Sequence, residues 1–494
     1  MPNTLLLTLL LPALAVPFVY LAGKKSAKAA ALLIVAVVLV NIALFSTTAS
    51  AVLNGATHRY IESYEWIPVL HSTFTLFVDG ISLSLVIITS ILILAAAIFS
   101  INYMQEKKSL SEYYALLTLL SIGLVGVFIT ANLMFFYFCW ELMLVPVYFI
   151  ISGWGYREPQ RAAFKFFIFT HAGAVFVLLG IGAIFMATDT LNMFQVQAAL
   201  MTAQPELVKW ILLSLTGGFA VKMAIVPVHM WLPDAHAEAP ASMSALLSGV
   251  IISAGAYAIL RVSLGTVFPA VMAVDANFGS QFLHGLAVFG VLSAFFGSLI
   301  ALVETDIKRI IAYSSIAHMG YVLFGLSLFP FSEAITGTVL HLVNHAASKG
   351  LFFLSAGAIM KQLEIRDIRE IGGLAGQMPV TATSSTVAAL SIAGIPPFAC
   401  FISEFLIFVG AFETISSDGF YLMPVILMLI ATVLSLGYAL RFVAQVFLGS
   451  KKNENAKDPP PLMELSMLIL TILVVILGVF PNLLIQLIST VSFA

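Results

Sequence analysis

Glu141, Lys222, Lys349 and Glu404 each stand in the middle of a separate apolar stretch long enough to cross a bilayer. Glu141 lies in FFYFCWELMLVPVYF, Lys222 in LLSLTGGFAVKMAIVPV, Lys349 in NHAASKGLFFLSAG and Glu404 in PPFACFISEFLIFVG. An ionisable side chain at mid-membrane costs roughly 2.5–3.5 kcal/mol on insertion scales, so two acids and two bases kept there mark an ion or proton pathway. Apolar surroundings penalise the charged form of a lysine and a nearby carboxylate offsets that penalty. Glu141 and Lys222 are therefore read as an adjustable pair that loads and releases a proton.

A second pattern is local. His341, His345 and Lys349 recur every four residues, so on a helix they form one stripe about 12 Å long. Imidazole can donate at one ring nitrogen while accepting at the other, and its unperturbed pKa near 6.5 suits relay between waters. Histidines four apart could also ligate haem or a metal, or simply pack. The reading taken is a proton wire, with no metal site. Taken singly, His171, His229, His284 and His318 read as core histidines, and Lys165, one turn into its helix, as a side chain that snorkels to the interface.

These residues need elements to hold them, and composition says which. Of 494 residues 61% are hydrophobic and 9% charged, with a mean hydropathy of +1.06, against roughly 25% charged in a soluble domain. A span needs about 20 apolar residues, and about fourteen such segments follow one another with short polar breaks: 4–22, 29–53, 76–102, 112–130, 132–153, 162–188, 207–230, 240–262, 279–303, 308–329, 333–360, 379–415, 420–448 and 462–490. The expected fold is thus an all-α membrane protein of about fourteen transmembrane helices. No stretch has the length and polarity of a soluble domain, and nothing points to nucleic acid. The apolar N-terminus has no basic residue ahead of it and reads as a retained helix, not a cleaved signal.

The twelfth segment is too long for one straight span, and Ala393-Gly394-Ile395-Pro396-Pro397 must break it, because proline lacks the amide hydrogen and clashes with the preceding turn. The seventh carries Gly217-Gly218 before Lys222 and Pro227 after it. Two interrupted helices five positions apart, each with a charge near the break, indicate an internally repeated transporter fold. The predicted division is a three-helix segment over 1–111, a five-helix repeat over 112–262, a second over 279–448, inverted because five is odd, and a loop with the fourteenth helix over 449–494. Sixteen basic residues, from Lys24 to Lys457, fall in breaks after odd-numbered helices; Arg59, Lys209 and Arg261 fall near the others. By the positive-inside rule the sixteen face the cytoplasm and both termini face outward.

Cys139 and Cys400 are far apart and each lies in an apolar span. With no cysteine cluster and no dinucleotide fingerprint, no iron–sulfur cluster, flavin or nicotinamide, and indeed no cofactor, is expected in this chain.

Five stretches carry a family likeness: VDGISLSLVIITS at 78–90, FCWELMLVPVYFIISGWG at 138–155, KMAIVPVHMWLPDAHAEAPASMSALLSG at 222–249, ETDIKRIIAYSSIAHMGYVL at 304–323 and FISEFLIF at 401–408. They resemble the antiporter-like subunits of respiratory complex I and its relatives, and most of all the M-type subunit, called chain 4 in mitochondria. The resemblance implies a fourteen-helix core with helices seven and twelve broken, and a proton channel with a polar axis at mid-membrane. It gives Glu141 the role of the fifth-helix glutamate, Lys222 the seventh-helix lysine, His318 the tenth-helix histidine and Glu404 the twelfth-helix exit acid. Two departures matter. M-type chains usually carry an eighth-helix lysine where this chain has Ser253, whereas Lys349 with its two upstream histidines resembles the eleventh helix of L-type and hydrogenase-associated paralogues. The implied function is proton translocation within a redox-driven complex whose electrons travel elsewhere. The implied partners are L-type and N-type antiporter-like subunits, with protons and lipid, in an energy-converting membrane. A multisubunit cation/proton antiporter without redox coupling and a non-transporting scaffold are the alternatives; four buried charges argue against the scaffold.

Overall fold

In lipid a backbone amide has no water to bond, so a spanning segment must satisfy its own groups. The computed structural model of the chain, which describes residues 3–55, 57–67, 72–453 and 455–491, is accordingly almost all helix. Twelve helices are long and apolar enough to span. Two more, Pro205–Met223 and Ser332–Leu363, have 19 and 32 residues but hold Lys222 and Lys349 and are too polar to belong to the twelve. Fourteen is reached only by adding them. The chain is an integral membrane protein, and the ordinal helix numbers above are kept for its segments.

The core lies where the polar residues are. The eighth helix, Ala241–Val274, is enclosed except towards its C-terminal end, where Met272 is exposed, and the tenth, Ile307–Ser327, is nearly enclosed, whereas in the first, second, thirteenth and fourteenth only about a third of the spanning residues are buried. Ser332–Leu363, the eleventh, is buried along almost its whole length.

Among the described residues five helices are irregular, one of them the fourteenth, which divides into Pro461–Val479 and Asn482–Ile488. The fifth divides at Met143 into Leu133–Leu142 and Leu144–Trp154, since Pro146 has no amide hydrogen for the carbonyl of Leu142. The seventh does not yield at Gly217-Gly218, which stay helical; a methyl group on Gly218 would meet the carbonyl oxygen of Gly173 at 2.5 Å, so that glycine serves close packing on the sixth helix. The helix stops at Met223, immediately after Lys222, where Ala224 turns left-handed (φ 58°) and the Trp231 indole N–H donates to the Val221 carbonyl (2.9 Å). It resumes as Leu232–Glu238. The twelfth breaks where expected, into Pro379–Ile392 and Ala399–Ser417, around Gly394 at φ 67°. The eighth contains two π-helical stretches, Leu247–Ile251 and Ile259–Val267.

One element departs from an all-helical chain. Tyr60–Ile67 and Ser72–Val78 pair as an antiparallel hairpin ahead of the third helix. Its Glu62 carboxylate accepts the amide hydrogens of Leu5 (2.9 Å) and Leu6 (3.0 Å), capping the first helix with charge at the positive end of its dipole. Asp79 caps the third helix through the Ile81 and Ser82 amides and is also ion-paired with Arg261 in the second π-helical stretch, both buried. His284 of the ninth helix meets Asp418, in the turn after the twelfth, at 2.6 Å, and this bond holds the Asp418 carboxyl below its usual range.

Candidate functional site

Lys222 is buried at the last turn of Pro205–Met223. Its ammonium donates to the Trp140 carbonyl (2.9 Å) and lies 4.0 Å from the centre of the Trp140 ring, a cation–π contact that partly replaces lost water. Glu141 follows Trp140 directly, but consecutive helical side chains diverge by about 100°. Its carboxylate turns instead to His171, with Oε2 3.2 Å from Nδ1, while Oε1 is buried without a bond. Among the described residues Lys222 and Glu141 make no ion pair within 4.0 Å, so the expected pair does not touch. They communicate through one peptide unit. His171 is correspondingly not a core histidine: its side chain is 48% exposed, against 27% for Glu141.

The second cluster is buried, with only Glu404 showing a little of its surface. Lys349 donates to the Ser314 hydroxyl and the Ile311 carbonyl, and has no carboxylate partner among the described residues. His345 is next on the stripe, and neither of its buried ring nitrogens has a protein partner. His341 follows, its ring 6.2 Å from that of His345. Its Nε2 faces His318 Nδ1 at 3.1 Å, and His318 Nδ1 lies 4.0 Å from Glu404 Oε1. Ser403 and Tyr438 hold the outer nitrogens of His341 (3.0 Å) and His318 (3.2 Å). Glu404 sits against the break in its own helix, where Gly394 leaves room for the carboxylate, beside a cavity of about 470 Å³ that also touches Ile395, Pro396 and Phe405. The sequence-read residues Lys349, His345, His341, His318 and Glu404 thus come together, while Glu141 and Lys222 stand apart from them. His318 is a member of this cluster and not a lone core histidine.

Ser253 is buried, and its hydroxyl donates to the Gly249 carbonyl of its own helix (2.8 Å). Sequence reasoning passed over a further histidine. His236, on the half-helix Leu232–Glu238, is fully buried, stacks on Phe353 at 4.7 Å, and has neither ring nitrogen bonded to protein. Its only signal in the sequence is a place just beyond the break next to Lys222. Lys165 does more than snorkel, since it pairs with Asp234 (2.7 Å), which also accepts from Arg309 (2.6 Å). Lys308, one of the sixteen basic residues counted at the odd-numbered breaks, is buried on the carbonyls of Ala237 and Ala239 at the end of the same half-helix.

Residues 130–435 match the family model described as NADH:quinone oxidoreductase/Mrp antiporter, transmembrane. NADH-quinone oxidoreductase subunit M of Rickettsia prowazekii is 32% identical over 96% of this chain and 95% of its own length. The F(420)H(2) dehydrogenase subunit M of Methanosarcina mazei is 32% identical over 86% and 85%. In fold, the chain superposes on a chain of the Mrp complex from a Dietzia species (TM-score 0.86, 23% identity, 99% and 97% covered) and on one of respiratory complex I from Thermus thermophilus (TM-score 0.84, 22% identity, 98% of each).

Proposed function

The chain belongs to the NADH:quinone oxidoreductase/Mrp antiporter family of transmembrane subunits, as an antiporter-like subunit of M type, and on that footing we propose that it conducts protons across the membrane within a redox-driven complex. The carrying observation is the buried run Lys349, His345, His341, His318 and Glu404, because a scaffold could fill such positions with apolar residues at no cost.

In this reading Lys222 is the loading site. Its ammonium rests on a carbonyl and a ring, and the seventh helix ends one residue beyond it, so a small movement of the break changes what the ammonium can reach. Glu141 acts on it through the peptide unit shared with Trp140. From Lys222 the proton crosses the gap by way of His236 to Lys349, then along the histidine stripe to His318 and Glu404, the exit acid beside the break at Gly394. A histidine whose two nitrogens have no protein partner, such as His236 or His345, can take a proton on one nitrogen and release the other.

Fourteen spans, two inverted five-helix repeats and outward termini complete the proposal, supported by the matched breaks of helices seven and twelve and by the sorting of basic residues. The half-exposed Glu141 and His171 support an assembly, since a titratable pair open to lipid is costly. That face is assigned to a neighbouring membrane subunit, of L or N type. Subunit-M relatives named for NADH-quinone and F(420)H(2) dehydrogenases favour redox coupling over cation exchange alone. The test is Lys222→Ala in the native complex: assembly retained, electron transfer uncoupled or slowed, and proton pumping in vesicles lost. A normal proton-to-electron ratio in that variant overturns the proposal.

A further inference from the structure

The hydrogen bonds around His318 and His341 limit where their protons can be. The Ser403 hydroxyl donates to the Cys400 carbonyl (2.9 Å), so at its 3.0 Å contact it accepts, and His341 carries its hydrogen on Nδ1. The Tyr438 hydroxyl lies 3.2 Å from His318 Nε2 and 3.4 Å from the Ser435 hydroxyl; when it donates to Ser435 it accepts from His318, which then carries its hydrogen on Nε2. Each neutral imidazole has one N–H. In that arrangement the two nitrogens that face each other at 3.1 Å, His341 Nε2 and His318 Nδ1, are both bare lone pairs. Two acceptors at that distance repel unless a cation lies between them. A proton can fill that place, and so can a metal ion.

The geometry points to a binding site for a divalent transition-metal ion of the Zn²⁺ class, built from His318 Nδ1, His341 Nε2 and a Glu404 carboxylate oxygen, whose occupation competes with proton passage. The three ligand atoms lie within 4.8 Å of one another. Around a tetrahedral ion with bonds of roughly 2.0–2.1 Å, ligand atoms stand about 3.3 Å apart. The histidine pair is already near that spacing, and the Glu404 carboxylate, 4.0 Å from His318 Nδ1 and within 4.8 Å of the third ligand atom, needs to close by roughly 0.7–1.5 Å. Two imidazoles and a carboxylate suit Zn²⁺, Cu²⁺ or Ni²⁺ and disfavour Mg²⁺ and Ca²⁺. Ser403 and Tyr438 supply the outer-shell bonds that orient metal-binding histidines. The opposing charge is Lys349, which is tied to Ser314 and Ile311 beyond His345. Metal binding as such is independent of the proposed proton path; the competition rests on it.

The experiment titrates the full-length chain in detergent with Co²⁺ alone and with Zn²⁺ alone. One ion per chain is expected, with the visible absorption of tetrahedral Co²⁺. His318→Gln and His341→Gln should each abolish it, Ser403→Ala should weaken binding about 10–100-fold, and His284→Gln should leave it unchanged. X-ray absorption of the wild-type Zn²⁺ form needs no variant and should show two imidazoles in the metal shell. Absence of a stoichiometric ion, a shell without two imidazoles, or an unchanged Co²⁺ spectrum in His318→Gln overturns the site. Zn²⁺ added to pumping vesicles of the native complex should inhibit, with relief by a chelator. Bound Zn²⁺ with undiminished pumping would leave the metal site standing and sink the proton-path reading instead.

Discussion

Gly394 gives the sharpest handle on the exit end of the site. It occupies the left-handed region at φ 67°, and a methyl group added there would lie 2.5 Å from Glu404 Oε2. Ordinary contact begins at 3.4 Å, so the carboxylate oxygen must retreat by 3.4 − 2.5 = 0.9 Å. The atom in the way is the end of a flexible side chain and not backbone, so the fold itself loses only the left-handed penalty of roughly 1–2 kcal/mol. Proton transfer is far more sensitive: a 1 Å misplacement of a reacting group can cost on the order of 10²-fold. Gly394→Ala should therefore assemble with nearly normal thermal stability yet pump at a small fraction of the wild-type rate, measured by dye quenching in inverted vesicles. Gly217→Ala, where an added methyl group meets nothing within 4 Å, is the control. Wild-type pumping in Gly394→Ala would show that the position of the Glu404 carboxylate does not govern the rate.

Three further outcomes are expected. Lys349→Ala should abolish pumping in an assembled complex, and adding Ser253→Lys should restore part of it, because the new ammonium would enter the gap from the eighth helix; normal stoichiometry in Lys349→Ala refutes the relay, and failed rescue alone counts only against the equivalence of the two positions. Asp79→Asn keeps the cap on the third helix but strands a buried Arg261 charge, a loss of about 3–5 kcal/mol seen as a lowered melting temperature and recovered by adding Arg261→Met; an unchanged melt would remove the pair from the account. A tag at the N-terminus should be cleaved by protease added to the outside of right-side-out vesicles, and protection would contradict the proposed orientation.

What the sequence reveals here depends on whether a signal is local. Ala393-Gly394-Ile395-Pro396-Pro397 cannot be helical, so the twelfth break is legible. The division of the fifth helix is not, because one proline in an apolar run is ambiguous: the first helix carries Pro12 and Pro17 without interruption. The spacing of His341, His345 and Lys349 gives their shared face at once, whereas the approach of His318 depends on how two helices cross. Glu141 and Lys222 look like partners because both are charged and buried, but helical phase sends Trp140 inward and Glu141 outward. His236 is indistinguishable from other histidines until packing shows that nothing in the protein satisfies it. The hairpin strands Tyr60–Ile67 and Ser72–Val78 are not legible because so short an alternating stretch reads as a polar break between helices.

The π-helical stretches give the eighth helix a spare part. A π turn encloses one residue more than an α turn, so Leu247–Ile251 holds an insertion that an ordinary helix has no need of. Removing a single residue there should be absorbed locally, by relaxation to α-helix, without dragging Arg261 off Asp79 at the far end. Ser253 lies between the two stretches. The α-helical segment that carries Ser253 is thus bounded on both sides by turns that each hold a residue more than an α turn.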